Sequence, residues 1–118
     1  MSRKDWRLLI EDILEAVSDI QEMTDGMDFE GFVSNKPVRL GALYSVAVIG
    51  EAARHVPTDV QARYPDVPWR LMSDMRNVLV HNYAGVDLRI VWGVLQNRLP
   101  SLESRLRKIL TAERDAGV

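Results

Sequence analysis

Leu40-Gly41-Ala42-Leu43-Tyr44-Ser45-Val46-Ala47-Val48-Ile49-Gly50-Glu51-Ala52-Ala53 carries apolar or small side chains around most of a helical circumference. A helix dressed this way has no broad face for water, so it belongs at the centre of an assembly of helices. Each glycine inside it costs about 1 kcal/mol against alanine, which implies that neighbouring helices come close on the faces Gly41 and Gly50 occupy. Asn35 and Pro37 open the segment with a cap and a first-turn proline, and it runs to about Val56.

The flanking segments supply the partners this central helix needs. Ser2-x-x-Asp5 resembles a capping box, after which Trp6, Leu9, Ile10, Ile13, Val17 and Ile20 recur at three- and four-residue steps up to a Thr24-Asp25-Gly26 turn. Residues 29–33 bring two aromatics, Phe29 and Phe32, under the bundle. Pro57, Pro65 and Pro68 bound a connection with one helical turn between Thr58 and Tyr64, and Pro68 seeds a third helix that Gly85 terminates. Asp87 caps a last helix in which Leu88, Val91, Trp92, Leu95, Leu99, Leu102, Leu106, Ile109 and Leu110 repeat at close to 3.5 residues; Pro100 should kink it, and residues beyond Glu113 should fray. With no strand-like alternation and no repeat, the expectation is a single all-α domain over residues 1–118, an up-and-down bundle of four main helices.

Composition narrows the function classes. The 118 residues contain no cysteine, so neither a disulfide framework nor a thiolate nucleophile is available. No charged-then-apolar leader is visible, which favours a cytoplasmic location, and the most apolar window, residues 40–50, is far shorter than the roughly 20 residues of a membrane helix. Net charge is −2, yet it is unevenly placed: residues 1–34 hold 3 Lys/Arg against 9 Asp/Glu, residues 35–118 hold 12 against 8. The first helix is therefore an acidic solvated face or a dock for a basic partner, while the rest of the chain carries the cations a polyanion would need.

Those cations include one in a distinctive setting, Arg76-Asn77-Val78-Leu79-Val80-His81-Asn82-Tyr83. A guanidinium offers a fixed fork of donors for phosphate oxygens, and an imidazole exchanges protons near neutral pH. At 100° per residue, Leu71, Met72, Met75, Val78 and Leu79 form an apolar arc on the third helix. Arg70, Asp74, Asn77 and His81 form a polar stripe, and Trp69, Arg76, Val80 and Tyr83 a mixed sector suited to an interface. Arg76 and His81 stand about 140° apart around the helix and about 7.5 Å apart along it. A twofold homodimer, in which the Arg of one copy approaches the His of the other, closes that gap. Metal-free RNA cleavage needs a base for the 2'-hydroxyl, an acid for the leaving 5'-oxygen and a cation for the charged transition state; paired copies of His81 and Arg76 meet that need. Asn77, Asp74 and Tyr83 are supporting candidates, and Glu51, a carboxylate on so apolar a helix, is a candidate to pair with Arg54 or Arg76.

Arg76 to Tyr83 resembles the R-x4-6-H-x-Y signature of HEPN domains, and the wider pattern resembles the HepT toxins of MNT/HepT toxin-antitoxin systems. The supporting residues are Ile49-Gly50-Glu51-Ala52, Pro68-Trp69, Val86-Asp87, Val91-Trp92 and Leu99-Pro100, spread over nearly the whole chain. The resemblance implies a helical homodimer acting as a metal-independent endoribonuclease, with the motif Arg and His of both protomers lining a cleft. It also implies a partner, a small MNT-domain nucleotidyltransferase that neutralises the toxin by transferring AMP from ATP onto Tyr83. HEPN relatives also serve as non-catalytic nucleotide- or RNA-binding adaptors of nucleotidyltransferases, which is the alternative for this chain.

Other chemistries find little support. Two histidines and no cysteine leave no metal-ligand spacing, no cofactor motif is present, and no Ser-His-Asp pattern or glycine-rich phosphate loop occurs. His55 closes the second helix, where a cation is favourable for ordinary reasons. Trp69, Trp92 and Tyr44 would suit stacking on bases, although such aromatics are more often core.

Overall fold

The computed structural model describes residues 5–116, and every regular element among them is helical. Helix α1 spans Trp6–Thr24, α2 Phe29–Ser34, α3 Lys36–His55, α4 Thr58–Arg63, α5 Trp69–His81, α6 Leu88–Asn97 and α7 Leu99–Ala116, with a 3-10 turn at Tyr83–Gly85 before α6. The all-α, HEPN-like bundle expected from the sequence is what forms. Among the described residues, no helix is long and apolar enough to cross a membrane.

Helix α3 lies between α1 and α5, as its nearly continuous apolar dress requires. The Asn35 side chain accepts from the Val38 amide at 3.1 Å and Pro37 sits in the first turn, so the start follows from the local sequence. Gly50 marks the tightest approach to α5. A Cβ placed there would stand 2.3 Å from the Arg76 Cβ and 2.4 Å from the Met72 carbonyl oxygen, so the two backbones meet where α3 has no side chain. On the other flank, Ile10, Ile13, Val17 and Ile20 of α1 are buried, and Leu99, Leu102, Leu106 and Ile109 of α7 complete the core. Phe32 is fully buried against Trp92, with ring centroids 5.0 Å apart.

Several boundaries differ from the expected ones. Ser2 lies outside the described residues, and the cap of α1 is Asp5, whose carboxylate accepts from the Arg7 amide at 3.0 Å. Residues 29–34 form a true short helix, because the Asp28 carboxylate accepts from the Gly31 amide at 2.8 Å and starts it. The single last helix is two, parted at Arg98, and Pro100 falls in the first turn of α7, where a missing N–H costs nothing. Helix α7 continues past Glu113 to Ala116.

Candidate active site

Helix α5 carries the motif, and its burial pattern fixes which way each side chain faces. Trp69 is buried and its indole N–H donates to the Tyr64 carbonyl at 3.0 Å, while Met72 and Leu79 enter the core. The mixed sector expected from the helical projection is therefore divided: Trp69 is core, Arg76 lies against α3, and Val80 and Tyr83 face outward. Val78, expected in the apolar arc, is half exposed.

Arg76 is the most structured of the motif residues. Its side chain is only 22% exposed, its Nε lies 3.0 Å from Glu51 Oε2, and its NH1 donates to Asn77 Oδ1 at 3.1 Å. Glu51 gathers partners on both oxygens. Oε1 is 2.9 Å from His55 Nε2, and Arg54 NH1 approaches Oε2 at 3.8 Å. The hydrogen bond with His55 is the main reason the Glu51 carboxyl is held below the ordinary carboxylate range; burial opposes it, and the charges of Arg54 and Arg76 add to it. The side chain as a whole is 46% exposed, yet Oε2 itself is sealed from solvent and has no aligned hydrogen bond. At 3.0 Å, then, the Arg76 contact is an ion pair off the N–H axis.

His81 is the last residue of α5, exposed, and makes no hydrogen bond or ion pair among the described residues. The helix stops at His81 and does not run on to Gly85, as the sequence suggested. Asn82 donates the last helical bond to the Val78 carbonyl at 2.8 Å, then turns out with φ −147° and ψ 54°. Tyr83 consequently leaves the helical projection. It opens the 3-10 turn, half exposed, with no partner on its hydroxyl among the described residues.

The remaining candidates fall into place by contact. Asn77 is engaged with Arg76, and Asp74 is 3.7 Å from Arg70 and bonds neither Asn77 nor His81. Tyr44 is 72% exposed on α3, whereas Trp69 and Trp92 serve the core. His55, read from the sequence as an ordinary helix-end cation, belongs to the Glu51 cluster; its signal was the i,i+4 spacing from Glu51. No group of three or more His, Asp or Glu that could hold a metal ion occurs among the described residues.

Within one chain, then, the geometry presents a guanidinium braced by a carboxylate and an amide, with an unengaged imidazole a turn and a half further on. Around them lies exposed apolar surface from Val78, Val80, Tyr83 and Ile90. Next to the motif, Met75, Val78, Leu79, Val86, Ile90 and Val91 line an open apolar hollow of about 220 Å³.

Comparison with known proteins gives this arrangement a context. The family described as Ribonuclease HepT-like matches residues 13–109. A protein of Thermococcus cleftensis named "Probable ribonuclease HepT" is 37% identical over 108 residues, covering 92% of this chain and 96% of its own. Proteins of Methanocaldococcus jannaschii and Caldanaerobacter subterraneus, provisionally named as RNases, are 33% and 32% identical over 90% and 92% of this chain, and 97% and 96% of their own. No solved structure matches the chain at a significant level. Since the family match takes in the central helix, the motif and most of α7, the chain belongs to the HepT-like ribonuclease family.

Proposed function

We propose that this protein is a metal-independent endoribonuclease, the toxin of a toxin-antitoxin pair, working as a homodimer at a cleft lined by Arg76 and His81 of both protomers. The observation that carries the reading is the contrast between the two residues: Arg76 is sheltered and braced, as a fixed transition-state clamp must be, while His81 is unengaged, as a proton carrier must be. In the reaction, the imidazole of one His81 takes the proton of a ribose 2'-hydroxyl as the 2'-oxygen bonds to phosphorus. The bond from phosphorus to the 5'-oxygen breaks, and the partner copy's imidazole, in its protonated form, gives the leaving oxygen a proton. Arg76 neutralises charge on the non-bridging oxygens. The products are a 2',3'-cyclic phosphate and a 5'-hydroxyl. Asn77 supports this by holding the guanidinium, and Asp74 by its charge on the same polar stripe, about two turns before His81.

The dimer is supported by two features. The exposed Val78, Val80 and Ile90 beside the motif form an apolar surface that a second copy would cover, and one chain's motif offers one unengaged imidazole, that of His81, where the reaction uses two. The test is incubation of the purified protein with single-stranded RNA in EDTA. Cleavage giving cyclic-phosphate ends is expected, and intact RNA beside an active control nuclease would rule the assignment out.

Tyr83 is the proposed point of control. Its phenol is outward and unengaged, so an MNT-domain nucleotidyltransferase could present ATP to it; the phenolic oxygen would bond to the α-phosphorus and pyrophosphate would leave. The attached adenylate would put anionic phosphate and a base against the cleft, blocking and repelling RNA together. Co-expression of the Tyr83→Phe variant with such a partner is expected to give unmodified mass and unrestrained toxicity, whereas the wild-type chain gains one or more adenylates. Equal adenylate on both would place the modification elsewhere.

A further inference from the structure

We infer that Glu51 is a positioning residue for the Arg76 guanidinium, and that His55, which holds the other oxygen of the same carboxylate, is the outer anchor of that arrangement. The inference rests on the nuclease reading of Arg76 and extends it to α3, far from the motif in sequence.

An arginine reaching out from a helix has many rotamers and little reason to keep one. Arg76 is held on two edges, by Glu51 Oε2 along the Nε side and by Asn77 Oδ1 along NH1. Its remaining N–H groups stay free for phosphate oxygens. Glu51 is in turn fixed through Oε1 by the His55 ring at 2.9 Å, so that one carboxylate links an exposed imidazole at the end of α3 to the sheltered guanidinium on α5. The closeness of the two helices at Gly50, the residue just before Glu51, keeps this link short.

Stability alone does not account for the arrangement. Glu51 Oε2 is sealed from water without an aligned hydrogen bond, which costs the fold. The pair it makes is also an uneven one, between a half-exposed carboxylate and a guanidinium tilted off axis. What the carboxylate does supply is orientation. Its depressed protonation range keeps it charged throughout neutral conditions, with His55 as the first cause.

The test is steady-state cleavage of a single-stranded RNA by the full-length protein carrying Glu51→Gln, Glu51→Asp, His55→Ala or His55→Gln. Glu51→Gln is expected to lower kcat between about tenfold and a hundredfold, the range for misplacement of a reacting group by about an ångström. KM should hold or fall, because a negative charge has been removed beside the path of a polyanion. Glu51→Asp should recover part of the loss. His55→Ala should lower kcat about two- to tenfold, as expected for one lost hydrogen bond, and His55→Gln, which keeps a donor, should restore most of it. Wild-type or faster turnover in Glu51→Gln overturns the inference. So does a loss of kcat explained by a matching rise in KM and fall in melting temperature. If the wild-type protein does not cleave RNA, the nuclease reading fails, and the positioning claim is still decided by the Arg76 Nε–H resonance in the nitrogen-15 spectrum. That signal should be sharp in the wild type and broadened or shifted in Glu51→Gln; an unchanged signal overturns it.

Discussion

Alanine at Arg76 or at His81 is expected to stop RNA cleavage while leaving the melting temperature nearly unchanged. Removing a general acid or base costs on the order of 10² to 10⁴ in rate, and removing a transition-state donor about 10² to 10³, so either variant should fall to the background of a gel-based assay. His81 is exposed and unbonded, so its loss takes nothing from the core. Arg76 touches only Glu51 and Asn77 through polar groups, and a partly exposed ion pair contributes little to stability. Arg76→Lys should also be poor. An ammonium cannot engage Glu51, Asn77 and a phosphate in one plane as the guanidinium fork does.

The same variants test where the site lies. On the helix, Arg76 and His81 diverge by about 140°, which a site within one chain would have to overcome and a twofold pair would not. Dimers refolded from an equal mixture of wild-type and His81→Ala chains should therefore keep on the order of a quarter of wild-type activity, since half the dimers are mixed and lack one of the two imidazoles, and only the quarter formed by two wild-type chains keeps both. Half of wild-type activity in the mixture, with mixed dimers shown by mass spectrometry, would return the site to a single protomer.

How much of this was legible before the structure depended on the range of the interaction. Helix α1 could be read because its apolar residues recur with the helical period, and α3 because apolar and small residues surround it behind the Asn35 cap and Pro37. The seam from Leu88 to Leu110 was equally clear, but its division was not. Arg98 parts the two helices only through its φ of −107°, a small backbone change that composition does not mark, while its amide still donates to Val94 and its carbonyl accepts from Leu102; Pro100, the obvious breaker, sits two residues on, in the first turn of α7. Residues 29–34 are too few for periodicity to show, and only the Asp28 cap distinguishes them from a loop. In the site, the exposure of His81 followed from its angle on the helix. The exit of Tyr83 did not, because it turns on the backbone of Asn82. The Arg76–Glu51 pair joins residues remote in sequence, so spacing could nominate Glu51 and leave its partner open between Arg54 and Arg76. It took the approach at Gly50 to make Arg76 the nearer cation, at 3.0 Å against 3.8 Å.

That approach supports the other large prediction. Gly50→Ala puts a methyl 2.3 Å from the Arg76 Cβ and 2.4 Å from the Met72 carbonyl oxygen, neither of which is the loose end of a flexible chain. The helices must separate or slide, and overpacking of this kind costs about 1–3 kcal/mol or more. Alanine returns about 1 kcal/mol through its better helix propensity, so the clash decides the sign. We expect a net loss of about 1–2 kcal/mol, or roughly 4–10 °C in melting temperature for a chain of this size. Gly93→Ala is the matched control. It lies inside α6 with nothing within 4 Å of its would-be Cβ, so only the propensity gain operates and the melting temperature should rise by a few degrees. Activity should separate the two further: in Gly50→Ala, Arg76 is carried away from Glu51 and cleavage should fall even well below the melting transition, whereas Gly93→Ala should cleave as the wild type does. A Gly50→Ala protein as stable and active as the parent would mean that α3 and α5 do not touch where this structure joins them, and the brace on Arg76 would go with that contact.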